Sequence, residues 1–318
     1  MGFRGSDTHQ HYRFRGVLSH SKPSYTHHKS RQVHQKGILM GDFEVSNISA
    51  TAVLTAKMRA LETDRPEPLI SDPYAACLVE HSGLDMASVQ LEQMTGQRLF
   101  ESNIVRTHFL DTSLQAAIAG GVTQVVILGS GLDTRVARLE LPSQCVVFEI
   151  DQANVIAYKK RVYAEEGVVV PADWRPRSGD LEGDWIGELT TAGFDPEVAT
   201  AWVIEGVLFY FSDDVVAKLI QTVSDYSAQG SQLLAVHFGA GALVEAQTRE
   251  MAAAATNAGG YGFKSIVAEP IGWLDEYGWD VEAETFGSAA QRLGRTIPYD
   301  IEETPGQEIA WLIKAVKR

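Results

Sequence analysis

Apolar residues recur at helical spacing over residues 51–61 (Val53, Leu54, Ala56, Met58, Leu61), and Asp64, Pro66 and Pro68 then break the pattern. A second helix is expected to begin near Pro73 with Asp72 as its N-cap, and a third to run over 103–119 until Gly120 and Gly121 end it. Beyond these the texture changes to short β-rich runs alternating with helical stretches. Strands are expected at 124–128, 145–150, 201–205 and 232–238, with a weaker one near 168–170. The first three are continuous apolar runs, as in strands covered on both faces. Helices are expected over 152–165 and 213–227, and a helical insertion over about 241–276. Two last strands follow near 280–285 and 308–316, separated by a loop or short helical piece. The whole predicts an α/β protein: a Rossmann-like seven-stranded sheet with an N-terminal helical cap and an insertion before the last two strands.

The first 39 residues differ in kind. They hold six of the nine histidines among Ser, Lys and Arg, without apolar periodicity, and are expected to be a disordered basic tail ahead of a domain over 40–318, its cap within 40–120. Residues 1–40 carry seven Lys or Arg against one Asp, a balance of +6, so the other 278 residues, with 20 bases and 40 acids, stand at −20. A body so acidic repels polyanions, which argues against non-specific nucleic-acid binding. No stretch approaches the roughly 18–20 apolar residues of a membrane span and no secretory leader is legible, so a cytoplasmic location is expected. Cys77 and Cys145 lack a Cys or His neighbour at ligand spacing; both are expected to be small buried hydrophobes, with neither a disulfide framework nor a metal site.

Candidate chemistry begins at the end of the first strand, in Gly129-Ser130-Gly131-Leu132-Asp133-Thr134-Arg135. Glycines there let a ligand approach the backbone outside the carboxyl end of a strand. The dinucleotide fingerprint would place a third glycine at 134, where Thr stands. The second strand ends in Glu149-Ile150-Asp151, roughly 20 residues past the glycines, where a carboxylate can accept hydrogen bonds from ribose hydroxyls. Capping of the following helix is the alternative for Asp151.

Taken in order, Glu62-Thr63-Asp64-Arg65-Pro66, Ser71-Asp72-Pro73-Tyr74-Ala75, Val105-Arg106-Thr107, residues 128–135, residues 148–151 and Glu205-Gly206-Val207-Leu208-Phe209-Tyr210 resemble the leucine carboxyl methyltransferase-like proteins, over nearly all the chain from Ser46 onward. The resemblance implies S-adenosyl-L-methionine as cofactor. It gives Arg106 the methionine carboxylate, a bidentate task that Lys cannot reproduce; a surface salt bridge with Asp111 or Glu101 is the alternative. Gly129 and Gly131 would pass beside the cofactor, Asp133 and Arg135 would fix the loop, and Asp151 would take the ribose. Asp180 and Leu181 would meet the adenine, and Glu205 would face the methionine portion. Methyl transfer to a carboxylate needs no base, whereas a hydroxyl acceptor would benefit from one. His237 and Tyr210 are the catalytic candidates, although a lone histidine in an apolar strand is commonly a core residue. Lys57 and Arg59 could meet an acidic acceptor or be plain helix-face charges. The expected partner is a small-molecule methyl acceptor, the methylated oxygen being carboxyl or hydroxyl. Three other readings stay open: a nicotinamide-dependent oxidoreductase, a non-catalytic methyltransferase-like binding protein, and methylation of a protein's C-terminal carboxylate.

Overall fold

A computed structural model describes residues 50–83, 96–170, 172–244, 263–297, 306 and 308–318. The expected tail, residues 40–49 and the stretch 245–262 of the expected insertion lie outside the described residues.

Among the described residues three helices come first: α1 (Ala50–Thr63), α2 (Ala75–Glu80) and α3 (Gly96–Ala119). Helix α2 begins two residues later than expected, with Tyr74 rather than Asp72 at its N-cap, but Asp72 still supports the entry, since its Oδ1 accepts from the backbone N–H of Tyr74 and Ala75. Helix α3 begins earlier than its apolar pattern suggests and ends where Gly121, at φ 102°, closes the turn.

The sheet follows, with β1 (Gln124–Leu128), β2 (Val146–Asp151), β3 (Asp173–Ser178), β4 (Thr200–Ile204), β5 (Gln232–Phe238), β6 (Trp279–Thr285) and β7 (Ala310–Lys317) in the order β3-β2-β1-β4-β5-β7-β6. Strands β1 to β5 run parallel, and β7 inserts antiparallel between β5 and β6. Between the strands lie α4 (Arg135–Arg138), α5 (Ala153–Glu165), α6 (Trp185–Thr191), α7 (Asp213–Asp225), α8 (Gly241–Val244), α9 (Pro270–Asp275) and α10 (Phe286–Arg292).

Two apolar layers sandwich the sheet. Val125 and Ile127 of β1 face one, built with α1–α3, α5 and α10; Val126 and Leu128 face the other, built with α6, α7 and α9. The twofold alternation of side chains divides them. Every residue of β1 and β4 is buried, as their uninterrupted apolar runs require.

One strand was misplaced from sequence. Residues 168–170 connect rather than pair, because Gly167 at φ 63° ends α5 and Val168 closes onto the Tyr163 carbonyl. The strand is Asp173–Ser178, in register with β2 from Val146↔Asp173. Its sequence, Asp-Trp-Arg-Pro-Arg-Ser, hides it: an edge strand is only half covered, and an edge is where Pro176 can go without a lost ladder bond. Of the cysteines, Cys145 is buried and Cys77 only half-buried, its Sγ donating to the Tyr74 carbonyl.

The strand order reverses between β1 and β4. The carboxyl ends of β1, β2 and β4 therefore open onto one crevice, the place where open α/β sheets take their ligands.

Candidate active site

The loop after β1 is fixed from beneath. Gly129 and Ser130 both donate to the Ile150 carbonyl of β2. Gly131 donates to Asp151 Oδ2 at 2.6 Å, and the other carboxylate oxygen accepts from Gln152 at 2.7 Å. Asp151 thus clasps the glycine loop to the start of α5, a tie that the sequence did not suggest, while the N-cap position itself falls to Gln152. Burial raises the pKa of Asp151 against these two amides. Each oxygen keeps a lone pair for a further donor.

Gly129 and Gly131 adopt φ of 62° and 48°. A Cβ at Gly129 would stand 2.7 Å from Val207 Cγ2, so glycine here lets the loops after β1 and β4 meet. Val207 is thus a neighbour that constrains this glycine in addition to the ligand for which it was singled out.

Arg106, from the middle of α3, reaches neither Asp111 nor Glu101. Its Nε donates to Glu205 Oε1 at 2.9 Å, across 99 residues of sequence. Thr107 Oγ1 adds a bond to the same oxygen at 3.4 Å, and Arg135 Nη1 takes Glu205 Oε2 at 2.7 Å. Two guanidiniums overcome the burial of Glu205 and hold its pKa down at about 2. Neither Nη of Arg106 has a partner among the described residues. Gly206, at φ 69°, leaves that fork uncovered, for a Cβ there would lie 3.6 Å from both Nη atoms. A fork open to the crevice suits a carboxylate, which is the fit the amino-acid end of S-adenosyl-L-methionine requires.

Behind this pair runs a chain of buried charges, of which only Asp133 and Arg135 were expected to fix the loop. Arg135 Nε bonds Asp111 Oδ1 at 2.7 Å, and its Nη1 pairs with Asp133 Oδ2. Arg138 takes both Asp111 oxygens, at 2.6 and 2.8 Å. Asp72 Oδ2 accepts from Thr134 Oγ1 at 2.7 Å and from Arg59 Nε at 2.8 Å, while Arg59 Nη2 donates to the Leu132 carbonyl at 2.6 Å. Four arginines (59, 106, 135, 138) meet four acids (Asp72, Asp111, Asp133, Glu205), so the buried set is neutral. Arg59 is committed to the loop and is not available to an acidic acceptor. The residues that mark the resemblance are part of this frame: Glu62, fully buried, binds Arg295 and Arg65, and Glu101 pairs with the same two arginines. Of these four, only Glu62 and Arg65 stand in the motifs that carry the resemblance.

Past β3, Asp180 Oδ1 accepts from Glu182 N at 3.0 Å and Leu181 is buried in the second layer. Leu181 also edges a cavity of about 400 Å³ between α6 and α7, lined by Trp185, Lys218 and Thr222 among others. Nothing in this geometry brings Asp180 or Leu181 against Arg106 or Glu205.

Tyr210 ends a 3-10 turn (Leu208–Tyr210) after β4. Burial raises its pKa, in spite of Arg106 nearby and a hydrogen bond with Thr51 of α1. His237 is 1% exposed on β5, edge-on to Trp273, with Ser265 Oγ 3.5 Å from Nε2 and no partner for Nδ1 among the described residues. Burial lowers its pKa to about 4, so it is neutral at pH 7 and a weak base.

A stability slope follows from His237. Its folded pKa lies below the ordinary 6.5, so the unfolded chain binds its proton first. The contribution is complete above pH 6.5 and is lost as pH falls from there to about 4. Denaturant midpoints measured across that window should fall with pH in the wild type and less so in His237→Asn. Equal slopes would contradict the burial of a neutral imidazole.

The seven-stranded mixed sheet of order 3-2-1-4-5-7-6 has the topology of the Rossmann-like methyltransferase fold. Solved structures share the architecture. A methyltransferase-like protein of Thermobifida fusca superposes with a TM-score of 0.58 at 16% identity, covering 87% of this chain and 97% of its own. A DUF574 family protein of Streptomyces avermitilis gives 0.56 at 10% identity, covering 86% and 99%.

Sequence comparison narrows the class. The profile of the leucine carboxyl methyltransferase family matches residues 52–224. A Frankia alni protein, provisionally named an S-adenosyl-L-methionine-dependent methyltransferase, is 35% identical over 81% of this chain and 91% of its own. A Streptomyces avermitilis protein with the same provisional name is 36% identical over 86% and 96%. The chain belongs to the leucine carboxyl methyltransferase family.

Proposed function

We propose that this chain transfers the methyl group of S-adenosyl-L-methionine to an oxygen of a small molecule, a carboxylate in preference to a hydroxyl. Family membership and the relatives' names support the coarser part, an S-adenosyl-L-methionine-dependent methyltransferase. The observation that carries the site is the Arg106–Glu205 pair at the switch point, with the Nη fork of Arg106 left open.

In this reading Arg106 holds the methionine carboxylate, Asp151 the ribose hydroxyls, and Asp180 with Leu181 the adenine. Gly129 and Gly131 bring backbone close to the donor. When bound, the cofactor supplies an electrophilic methyl on a sulfonium that leaves without acid assistance. What remains for the protein is alignment and exclusion of water. Helices α1–α3 serve as the roof, and the Tyr210–Thr51 bond ties α1 to the loop after β4.

The preference for a carboxylate rests on the state of the ionisable groups. Tyr210 is kept protonated, His237 is neutral and enclosed, and Glu205 is engaged by two arginines. Among the described residues none of these three is poised to take a proton near neutral pH, and an acceptor that arrives ionised needs no base. Tyr210 and His237 then act as contacts or supports at the acceptor side. The setting supposed is cytoplasmic; among the described residues no helix is long and apolar enough to cross a membrane.

Isothermal titration with S-adenosyl-L-methionine and, separately, with NAD(H) tests the donor. Saturable binding of the first alone is expected, with a loss of about 100-fold or more in Arg106→Ala, the size of a charge-assisted fork. Preference for the dinucleotide would replace this reading with the oxidoreductase one. A base-labile methyl ester as product, formed at a rate flat above the acceptor's own carboxyl pKa, is the expected signature of a carboxylate acceptor.

A further inference from the structure

Glu205 is gripped from both sides. Arg106 Nε holds Oε1 at 2.9 Å, and Arg135 Nη1 holds Oε2 at 2.7 Å. Arg135 comes from a different part of the fold, the turn after the glycine loop, and its side chain is 2% exposed. It is locked there by Asp133, which also accepts from the Arg135 backbone N–H at 2.6 Å, and by Asp111 from α3. Its Nη2 is buried and has no partner among the described residues. A guanidinium placed so deep, with one nitrogen unsatisfied, is costly for stability alone. Its geometry has a use: with Oε2 occupied, the carboxylate cannot rotate away, and Oε1 stays on Arg106 Nε. Arg106 then has one orientation, with both Nη atoms over Gly206.

We propose that Arg135 is a positioning residue for cofactor recognition: it holds Glu205 in the rotamer that presents the Arg106 fork to the methionine carboxylate. This rests on the donor reading above and extends it. Glu205 is thereby chiefly the aligner of Arg106, and Arg135 reaches the cofactor only through these two side chains. The groups that set the charge of Glu205 are Arg106 and Thr107 from α3, Arg135 with Asp133 behind it, and Arg59 from α1.

The test is the affinity for S-adenosyl-L-methionine, by titration between about pH 5 and pH 7, below the range where the cofactor's own amine titrates, in the wild type, Arg135→Met, Arg135→Lys and Glu205→Gln. Wild-type affinity should be flat, because Glu205 keeps its charge down to about pH 2. In Arg135→Met, burial is opposed mainly by Arg106, and the carboxyl takes up a proton at higher pH. Affinity should drop about tenfold or more and weaken further as pH falls. Arg135→Lys should restore the flat profile with part of the affinity. Steady-state rates with an identified acceptor should show KM for the cofactor rising more than kcat falls. If Arg135→Met does not fold, Glu205→Gln decides: weakened, pH-independent binding, to which Arg106→Ala adds little. Wild-type-like affinity and a flat profile in folded Arg135→Met, or wild-type affinity in Glu205→Gln, would overturn the positioning role while leaving the donor reading intact. A wild-type chain that takes up no S-adenosyl-L-methionine overturns both.

Discussion

Asp111→Ala should cost the fold about 3–5 kcal/mol, the loss expected when a buried ion pair is left with one partner. Asp111 is the shared anchor of Arg135 and Arg138, bonding the Nε of the first and both Nη atoms of the second. Both arginines are almost wholly enclosed, and their carboxylate neighbours, Asp111 among them, keep them charged in spite of burial. Removing it leaves the four arginines of the network, 59, 106, 135 and 138, facing three acids, Asp72, Asp133 and Glu205, with one negative charge too few. Asp111→Asn keeps an acceptor and should lose less. Denaturant titration of the two variants checks this, and a loss below about 1 kcal/mol for Asp111→Ala would mean that water enters the network and it is not truly buried.

Gly129→Ala should lower stability by about 2–4 kcal/mol, through backbone strain at positive φ and overpacking together. The two causes separate experimentally. The new Cβ would sit 2.7 Å from Val207 Cγ2 and 3.1 Å from Val207 Cβ. Trimming Val207 to alanine in the same chain should recover the overpacking part and leave the strain part, because φ of 62° is set by Gly129 and Ser130 both closing on the Ile150 carbonyl. Cofactor affinity should fall along with stability, since any escape moves the loop after β4 and with it Glu205. Full tolerance of Gly129→Ala, in both denaturation and titration, would refute the close approach of the two loops.

The parts of this protein that could be read in advance share a physical property. Val125 to Leu128, Ala201 to Ile204 and Leu233 to Val236 are apolar because both of their faces are covered, and continuous burial leaves a continuous signal. Edge strand β3 has one free side, so its Trp174, Arg175, Pro176 and Arg177 carry no such signal, and the strand was sought five residues too early. Short α4 and α6 were passed over as well. A helix of one or two turns has too few positions to show a period.

The same division runs through the site. Arg106, the glycines, Asp151 and Glu205 could be singled out because motif order and the ends of strands point to them. That Arg106 would pair with Glu205 could not, since the two stand 99 residues apart and Asp111 and Glu101 were nearer in sequence. Asp111 instead belongs to Arg135 and Arg138, and Glu101 to Arg65 and Arg295.

By itself, then, the sequence determined the alternation of strand and helix, the burial of the central strands, the place of the glycine loop and the family. Those properties depend on neighbours within a few residues or on motifs in order. Tertiary structure alone decided which charges pair, that Arg135 stands behind Glu205, that Gly129 answers to Val207 and that His237 is enclosed and neutral. Each depends on distances between segments far apart in the chain, and charge partners are chosen by proximity and burial in space, to which spacing along the backbone gives no access.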